Sequence, residues 1–477
     1  MRSLNPGHGL RLRRVLVANR GEIAVRIIRA CFDEGIESVA VVSEADRDSM
    51  AARLATTSVV IGPAAATKSY LSVPRIVGAA IATGCDAIHP GYGFLSERPD
   101  LAEECERQGI VFVGPPADVI RRGGDKIVAR QVAAAVGIPV GEGSDLVESA
   151  TQARDVADRV GLPLLLKAAA GGGGRGMVKV GRLEDIETSF ATASTEAASA
   201  FGDGSLFVER YIENARHVEV QILADRHGHV IHLGERDCSV QRRYQKLVEE
   251  SPSTVLTREL RQRIWDSAVA LGRALDYVGA GTVEFLVDVD REEYAFLEVN
   301  TRVQVEHPVT EMVTGVDIVR AQLRVAAGAE LDIEQQDVRL VGHAIECRLN
   351  AENPSDDFLP SPGLVKAWTV PAGEGIRVDT HCHDGYRVSP HYDSLIAKVI
   401  CWGEDRAQAV RRIRRVLAAV KVDGVEHTGD FLSDVVASAD FQLDRINTRW
   451  VEDVFLPAWR QQLGSDPRGD RSPASTR

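Results

Sequence analysis

The chain has 477 residues, 44% of them hydrophobic and 26% charged, the balance of an ordinary soluble globular protein. That length suits about two to four domains with full cores. The formal charge of -13 argues against nucleic acid or an anionic membrane as the main partner.

The opening MRSLNPGHGLRLRR is basic, but only Val15-Leu16-Val17-Ala18 follows it, short of the ~7–15-residue core of a signal peptide. Those four residues read as a strand and Asn19 to Glu22 as a turn. Ile23, Ile27, Ile28 and Cys31 then follow helical spacing to a stop at Gly35. Val39 to Val42 is the next strand, followed by a helix over 74–82, a strand at Ala87-Ile88, a helix over 100–108 and a strand from Ile110 to Val113. This alternation predicts an open parallel sheet over residues 12–125, Rossmann-like in shape. Its first turn has a single glycine and lacks the dinucleotide fingerprint.

From Gly124 the pattern turns α+β, with helices over 126–136 and 184–200 among hairpin-like strands. After 330–342 come mostly short strands. A helix then carries Ala407, Val410, Ile413, Leu417 and Val420 on one face and Arg411, Arg412, Arg414 and Arg415 mostly on the other, a solvated face. GSDPRGDRSPASTR, from Gly464, reads as a disordered tail. The seven cysteines are scattered, odd in number and without a CxxC, and no run reaches the ~18 apolar residues of a membrane span. These features predict reduced thiols in a soluble cytoplasmic protein.

Residues 167–177, KAAAGGGGRGM, contain GxGxxG, but Leu164-Leu165-Leu166 before them and Met177 to Val180 after them are both strand-like. A dinucleotide motif opens a helix, and GxxxxGK[ST] is absent, so these glycines join two strands as a hairpin tip. Bare amides between Lys167 and Arg175 suit a lid over phosphates; a merely mobile surface loop is the alternative. In residues 281–308, Val283, Phe285, Val287 and Val289 alternate with polar neighbours. After a turn near Asp290, strand periodicity puts Tyr294, Phe296, Glu298 and Asn300 on one face. Glu284 meets Glu298 and Asn300 from the partner strand, giving two carboxylates and an amide oxygen for Mg²⁺. Arg302, Gln304 and Glu306 continue the period, as a small-anion grip with a base or as a structural ion pair. QRRYQK (241–246) adds three cations. His217, before an alternating strand, points either into a core or into a site. His381-Cys382-His383 lacks a second ligand cluster and reads as structural.

At this point the chain resembles biotin carboxylase of the ATP-grasp superfamily from Val15 to about Asn447. The matching stretches are ANRGEIA (18–24), HPGYGFLSE (89–97), GDK (124–126), GGGGRGM, RHVEVQ (216–221), ERDCSVQRR (235–243), EVNTRVQVEHPVTE (298–311) and FLPSPG (358–363). The resemblance implies three units: an N-terminal domain over 12–125, an ATP-grasp domain over 126–335 with a lid at about 140–212, and an α+β C-terminal domain over 342–450.

It also implies roles. Lys126 and Lys167 contact ATP phosphates, and Gly173 and Gly174 close over them. Glu209, Arg210, Tyr211 and Ile212 form the hinge that reads adenine, while His217 and Gln241 face the nucleotide. Glu284, Glu298 and Asn300 hold Mg²⁺ or Mn²⁺. Lys246, Arg302, Gln304 and the Val305 backbone cradle bicarbonate, Glu306 is the base, and Arg348 in HAIECRLN faces biotin. Two departures stand out: Tyr244 puts a phenol where QRRHQK commonly has a histidine contact to ATP, and Ala170 stiffens the glycine loop. The implied activity is ATP- and bicarbonate-dependent carboxylation of biotin, the first half-reaction of an acyl-CoA carboxylase. The rival readings are carboxylation of another small amide acceptor and a non-catalytic, nucleotide-binding regulatory role. None of the four methionines adjoins a lysine, so biotin is expected on a separate carrier protein, with a carboxyltransferase as further partner and a homodimer as the assembly.

Overall fold

The computed structural model describes residues 11–169 and 176–465. Strands β1 (Arg14–Val17), β2 (Glu37–Ser43), β3 (Thr57–Gly62), β4 (Ala87–His89) and β5 (Val111–Phe112) form a five-stranded parallel sheet in the order β3-β2-β1-β4-β5. The helix Gly21–Asp33 buries Ile23, Ile27, Ile28 and Cys31, and Gly35 follows at φ +67. β3 had no counterpart in the sequence reading. It is an edge strand with only Ile61 buried, so TSVVIG carries little apolar periodicity.

Strands β6 (Gly143–Val147), β7 (Leu164–Ala168), β8 (Met177–Val180) and β9 (Leu206–Arg210) make a separate antiparallel sheet, ordered β6-β9-β7-β8. Leu164, Leu166, Leu206 and Val208 pack beneath the helices Ala150–Val160 and Ile186–Phe201. β7 and β8 pair from Leu164↔Val180 to Lys167↔Met177, the expected strand–loop–strand. The glycine tip, with Gly173 and Gly174, lies outside the described residues.

The third sheet has eight strands. β10 (Ala215–Ala224), β11 (Val230–Arg242), β12 (Gln245–Ser251), β13 (Gly279–Asp288) and β14 (Glu293–Asn300) are joined by β15 (His343–Asn350), β16 (Ile376–Thr380) and β17 (Leu395–Gly403). The order is β14-β13-β10-β11-β12-β15-β17-β16, antiparallel throughout. β15, β16 and β17 therefore extend the sheet begun by β10 to β14, while shorter C-terminal strands pair in two-stranded sheets of their own. The last helix, Leu456–Ser465, takes in the first two residues of the expected tail; 466–477 lie outside the described residues. No helix among the described residues is long and apolar enough to cross a membrane.

One detail corrects the alternation read from sequence. Glu284 pairs with Glu298, but Phe285 pairs with Phe296, so Leu297 is an extra residue in β14. This β-bulge reverses the phase. Tyr294, Phe296 and Val299 enter the core, Leu297 is 38% exposed, and Glu298 and Asn300 turn to the opposite face. Strict alternation would place Leu297 and Val299 on one side. Val299→Asp should therefore destabilise the protein by upwards of about 3 kcal/mol, as an unpaired buried charge does. Leu297→Asp should cost under about 1 kcal/mol. Urea unfolding midpoints distinguish the two.

Candidate active site

The polar face of the large sheet is built two residues at a time. On β10, Val218, Val220 and Ile222 pack into the core while His217, Glu219 and Gln221 point the other way. Glu219 stands opposite Glu284 of β13 and Arg236 of β11, and Gln241 opposite Lys246 of β12. Like charges directly opposite repel. Cations relieve this pair: Arg236 Nε lies 2.5 Å from Glu219 Oε1, and Lys246 Nζ lies 2.5 Å from Glu219 Oε2 and 3.2 Å from Glu284 Oε1.

Lys246 also donates to Glu306 Oε1 at 2.5 Å, and Arg348 Nη2 donates to Glu306 Oε2 at 2.9 Å. Burial works against the Lys246 charge, yet Cys238, Glu219, Glu284 and Glu306 outweigh it and hold the ammonium well above its usual value. Burial likewise pushes Glu306 up, but Lys246, Arg348 and Arg236 hold its carboxyl well below the usual range. Arg348 is anchored by Glu249, whose carboxyl burial lifts to about 7 although Arg348 pulls it down.

Arg302 donates to Glu97 Oε2 (2.9 Å), Asn300 Oδ1 (2.9 Å), Gln304 Oε1 (2.7 Å) and the Val303 carbonyl (3.3 Å). Asn300 and Gln304 amides donate to Glu284 at 2.9 and 3.1 Å. The Val305 carbonyl accepts from Lys398. Glu298, raised by burial and by the Glu284 charge, lies 3.7 Å from the half-exposed Lys126. Thus Lys246, Glu284, Asn300, Arg302, Gln304, Glu306 and Arg348 form one hydrogen-bonded network, with Glu298, Lys126 and His217 beside Glu284 and Val305 in the loop between Gln304 and Glu306.

Of the remaining predicted residues, Lys167 and Glu209 to Ile212 lie on the four-stranded sheet or at its edge, and Gln241 and Tyr244 lie on β11 and in the β11–β12 turn. Lys167 Nζ and Arg130 Nη1 both engage Glu209, at 2.7 and 2.8 Å, so its carboxylate is occupied by two cations. Arg210 pairs with Glu142, Asp288 and Glu293. The Tyr211 ring lies under Lys179, and Ile212 is half-buried. Gln241 is buried, whereas Tyr244 is 47% exposed in the tight β11–β12 turn at φ +63. His381 donates to or accepts from the Tyr386 hydroxyl and is depressed to about 3 by burial, in keeping with a structural role.

Sequence reasoning missed Glu219, Arg236, Glu249, Glu97 and Lys398. For Glu219 a signal existed, since RHVEVQ places it two residues after His217.

A five-stranded parallel sheet, a four-stranded sheet where Lys167 and Arg130 hold Glu209, and a buried acid–base face make the arrangement of an ATP-grasp enzyme. Family models match in three consecutive pieces: "Biotin carboxylase, N-terminal domain" over 11–120, "Carbamoyl-phosphate synthase L chain, ATP binding domain" over 125–334, and "Biotin carboxylase C-terminal domain" over 346–453. Biotin carboxylase 1 of Bacillus subtilis is 49% identical over 442 residues, covering 92% of this chain and 98% of the relative. A pyruvate carboxylase component of Methanothermobacter thermautotrophicus is 46% identical, covering 92% and 89%. The biotin carboxylase domain dimer of Hydrogenobacter thermophilus 2-oxoglutarate carboxylase, solved with MgADP and bicarbonate, superposes with a TM-score of 0.87 at 45% identity, covering 93% and 98%. The chain belongs to the biotin carboxylase family and is an ATP-dependent carboxylating ligase.

His217 Nε2 sits 2.9 Å from Glu284 Oε2. Burial disfavours its charge, but Glu284 more than compensates and raises the imidazole above its usual value. Stability from this pair is complete below the unfolded imidazole value of about 6.5 and is lost as pH rises through the higher folded value. In the metal-free protein, the His217 midpoint by NMR should lie above about 6.5 and fall in Glu284→Gln.

Proposed function

We propose that the chain carboxylates biotin on a separate carrier protein through carboxyphosphate, as the first half-reaction of an acyl-CoA carboxylase. The observation that carries the chemistry is Glu306, a fully buried carboxylate set between Lys246 and Arg348. Glu306 takes the proton of bicarbonate, held by Lys246, Arg302, Gln304 and the Val305 backbone. A carbonate oxygen attacks the γ-phosphorus of ATP as the bond to ADP breaks. Carboxyphosphate falls apart to CO₂ and phosphate, and phosphate removes the ureido N–H proton of biotin. Arg348 holds the resulting enolate, whose nitrogen takes up CO₂.

On the nucleotide side, Lys126 and Lys167 meet phosphates, and the resemblance assigns Gly173 and Gly174 to the same phosphates. Glu209 to Ile212 read adenine, with His217, Gln241 and Tyr244 beside them. Lys167 turning toward a phosphate would free Glu209 for an adenine amino group. Glu284, Glu298 and Asn300 fit Mg²⁺ or Mn²⁺, because two carboxylates paired across β13 and β14 and an amide oxygen are hard donors whose mutual repulsion a cation relieves. Bound there, the ion neutralises charge on the transferring phosphoryl group.

We take the working units as 12–125, 126–335 with its lid at about 140–212, and 342–450, assembled as a homodimer in the cytoplasm; seven free, buried cysteines suit that compartment. A carboxyltransferase chooses the final acceptor. The acyl-CoA end of the proposal rests on the sequence resemblance, since the relatives include pyruvate and 2-oxoglutarate carboxylase components. Assaying ADP release with bicarbonate and biotin each omitted in turn tests the half-reaction. Glu306→Gln should keep ATP binding and lower bicarbonate-dependent ADP release by about 10²–10⁴-fold, as loss of a general base does. Near-normal turnover would remove Glu306 as the base.

The carrier reading has its own check. Met1, Met50, Met177 and Met312 have no lysine neighbour, whereas the family's biotinyl lysine usually lies in Met-Lys-Met. The 477-residue chain, co-expressed with a biotin ligase, should give a blank streptavidin blot. A biotinylated band at its own mass would put the carrier function in cis.

A further inference from the structure

The peptide that presents Glu306 is held from behind by a residue with no assigned part in the chemistry. Lys398, on β17, has no exposed surface. Its Nζ donates to the Val305 carbonyl at 2.8 Å, and lies 3.0 Å from Glu22 Oε1 and 3.8 Å from Asp379 Oδ2. Glu22 comes from the N-terminal helix Gly21–Asp33 and accepts from the Tyr92 hydroxyl of HPGYGFLSE; Asp379 comes from β16. The Glu346 carboxyl, pushed well above its usual range by burial, also lies beside the ammonium. One buried cation thus joins the N-terminal sheet's first helix, two C-terminal strands and the loop before the base.

We propose that Lys398 is a positioning residue for the bicarbonate cradle, acting through the Val305–Glu306 peptide. This rests on the reading of Arg302, Gln304 and Val305 as that cradle. A peptide is planar and trans, so fixing the Val305 carbonyl fixes the opposed N–H of Glu306 and the direction in which Glu306 leaves the chain. The preceding carbonyl is also tied, since Gln304 O faces His307 Nδ1 at 2.7 Å. With both carbonyls held, the turn has one orientation. Without Lys398 the Val305 carbonyl loses its partner and the cradle loosens. ATP contacts, which lie on other elements, do not depend on it.

Lys398→Met alone would strand Glu22, so the decisive variant is Lys398→Met/Glu22→Gln, which removes one charge of each sign. Initial rates of bicarbonate-dependent ADP release are measured against bicarbonate and against ATP, beside Arg302→Ala. The expected result is a rise of about 10–100-fold in the double variant's KM for bicarbonate, the scale of displaced supporting contacts, with KM for ATP changed less than about twofold. An unchanged bicarbonate KM in the folded variant overturns the proposal. Equal losses toward both substrates, or failure to fold, also overturn it, because each assigns Lys398 to stability alone. Arg302→Ala tests the underlying reading separately: if it leaves bicarbonate KM unaltered, the cradle itself is misassigned, whatever Lys398 does.

Discussion

The ammonium of Lys246 is the point on which the cleft depends. Three carboxylates, Glu219, Glu284 and Glu306, lie within 3.2 Å of it, and all are buried. Taking such charges out of water costs several kcal/mol per ion, and removing one partner of a buried pair typically costs about 3–5 kcal/mol. Register supplies the arrangement. Glu284, Glu219 and Arg236 follow one another across β13, β10 and β11, and Lys246 reaches them from β12. Any slip of one residue in these strands would turn the acids into the core and the valines into the cleft. The hydrophobic phase of the sheet thereby enforces the electrostatics of the site.

That arrangement leaves Glu306 ionised and a weak base, since Lys246 and Arg348 favour its charged form. An anion entering beside Arg302 and Lys246 adds negative charge near that carboxylate and shares its cations. Both effects move its affinity for protons back up. In the proposed reaction the substrate itself makes the base more basic, and a site without substrate has no strong base to act wastefully.

The parts of the molecule readable from sequence are those whose cause is local. The first helix and the parallel strands follow apolar spacing, and two-residue periodicity brings Glu284, Glu298 and Asn300 together. Strict alternation nevertheless gives Glu298 the wrong phase relative to Phe296. Leu297 is a single extra residue, and nothing in FLEVN marks it, because a bulge shows only against the partner strand. Contacts across long separations are invisible for the same reason. Arg302 meets Glu97 from 205 positions away, and Lys398 meets a glutamate near the N-terminus, so neither partner can be inferred from its neighbours in the chain. Glu209 shows the converse limit. Motif matching gives it one role, while its geometry gives it two cations that compete for that role.

The sheet order also explains why the C-terminal region belongs to the site. The resemblance implies a C-terminal unit over 342–450, and its first strand, β15, hydrogen-bonds to β12 and to β17. Glu249 faces Glu346, and Arg348 faces Lys398, across those joins. Arg348, carried on an extension of the same sheet as Lys246, keeps its distance to Glu306 through that shared framework, as the proposed role requires. Strands β6 to β9 form a different sheet, which among the described residues shares no ladder with the large one. The groups proposed to act on bicarbonate and biotin therefore sit on one framework, while Lys167 and Glu209 sit on another. In the proposed reaction a nucleotide spanning the two brings them together, which would link ATP binding to completion of the site while leaving the acid–base groups undisturbed.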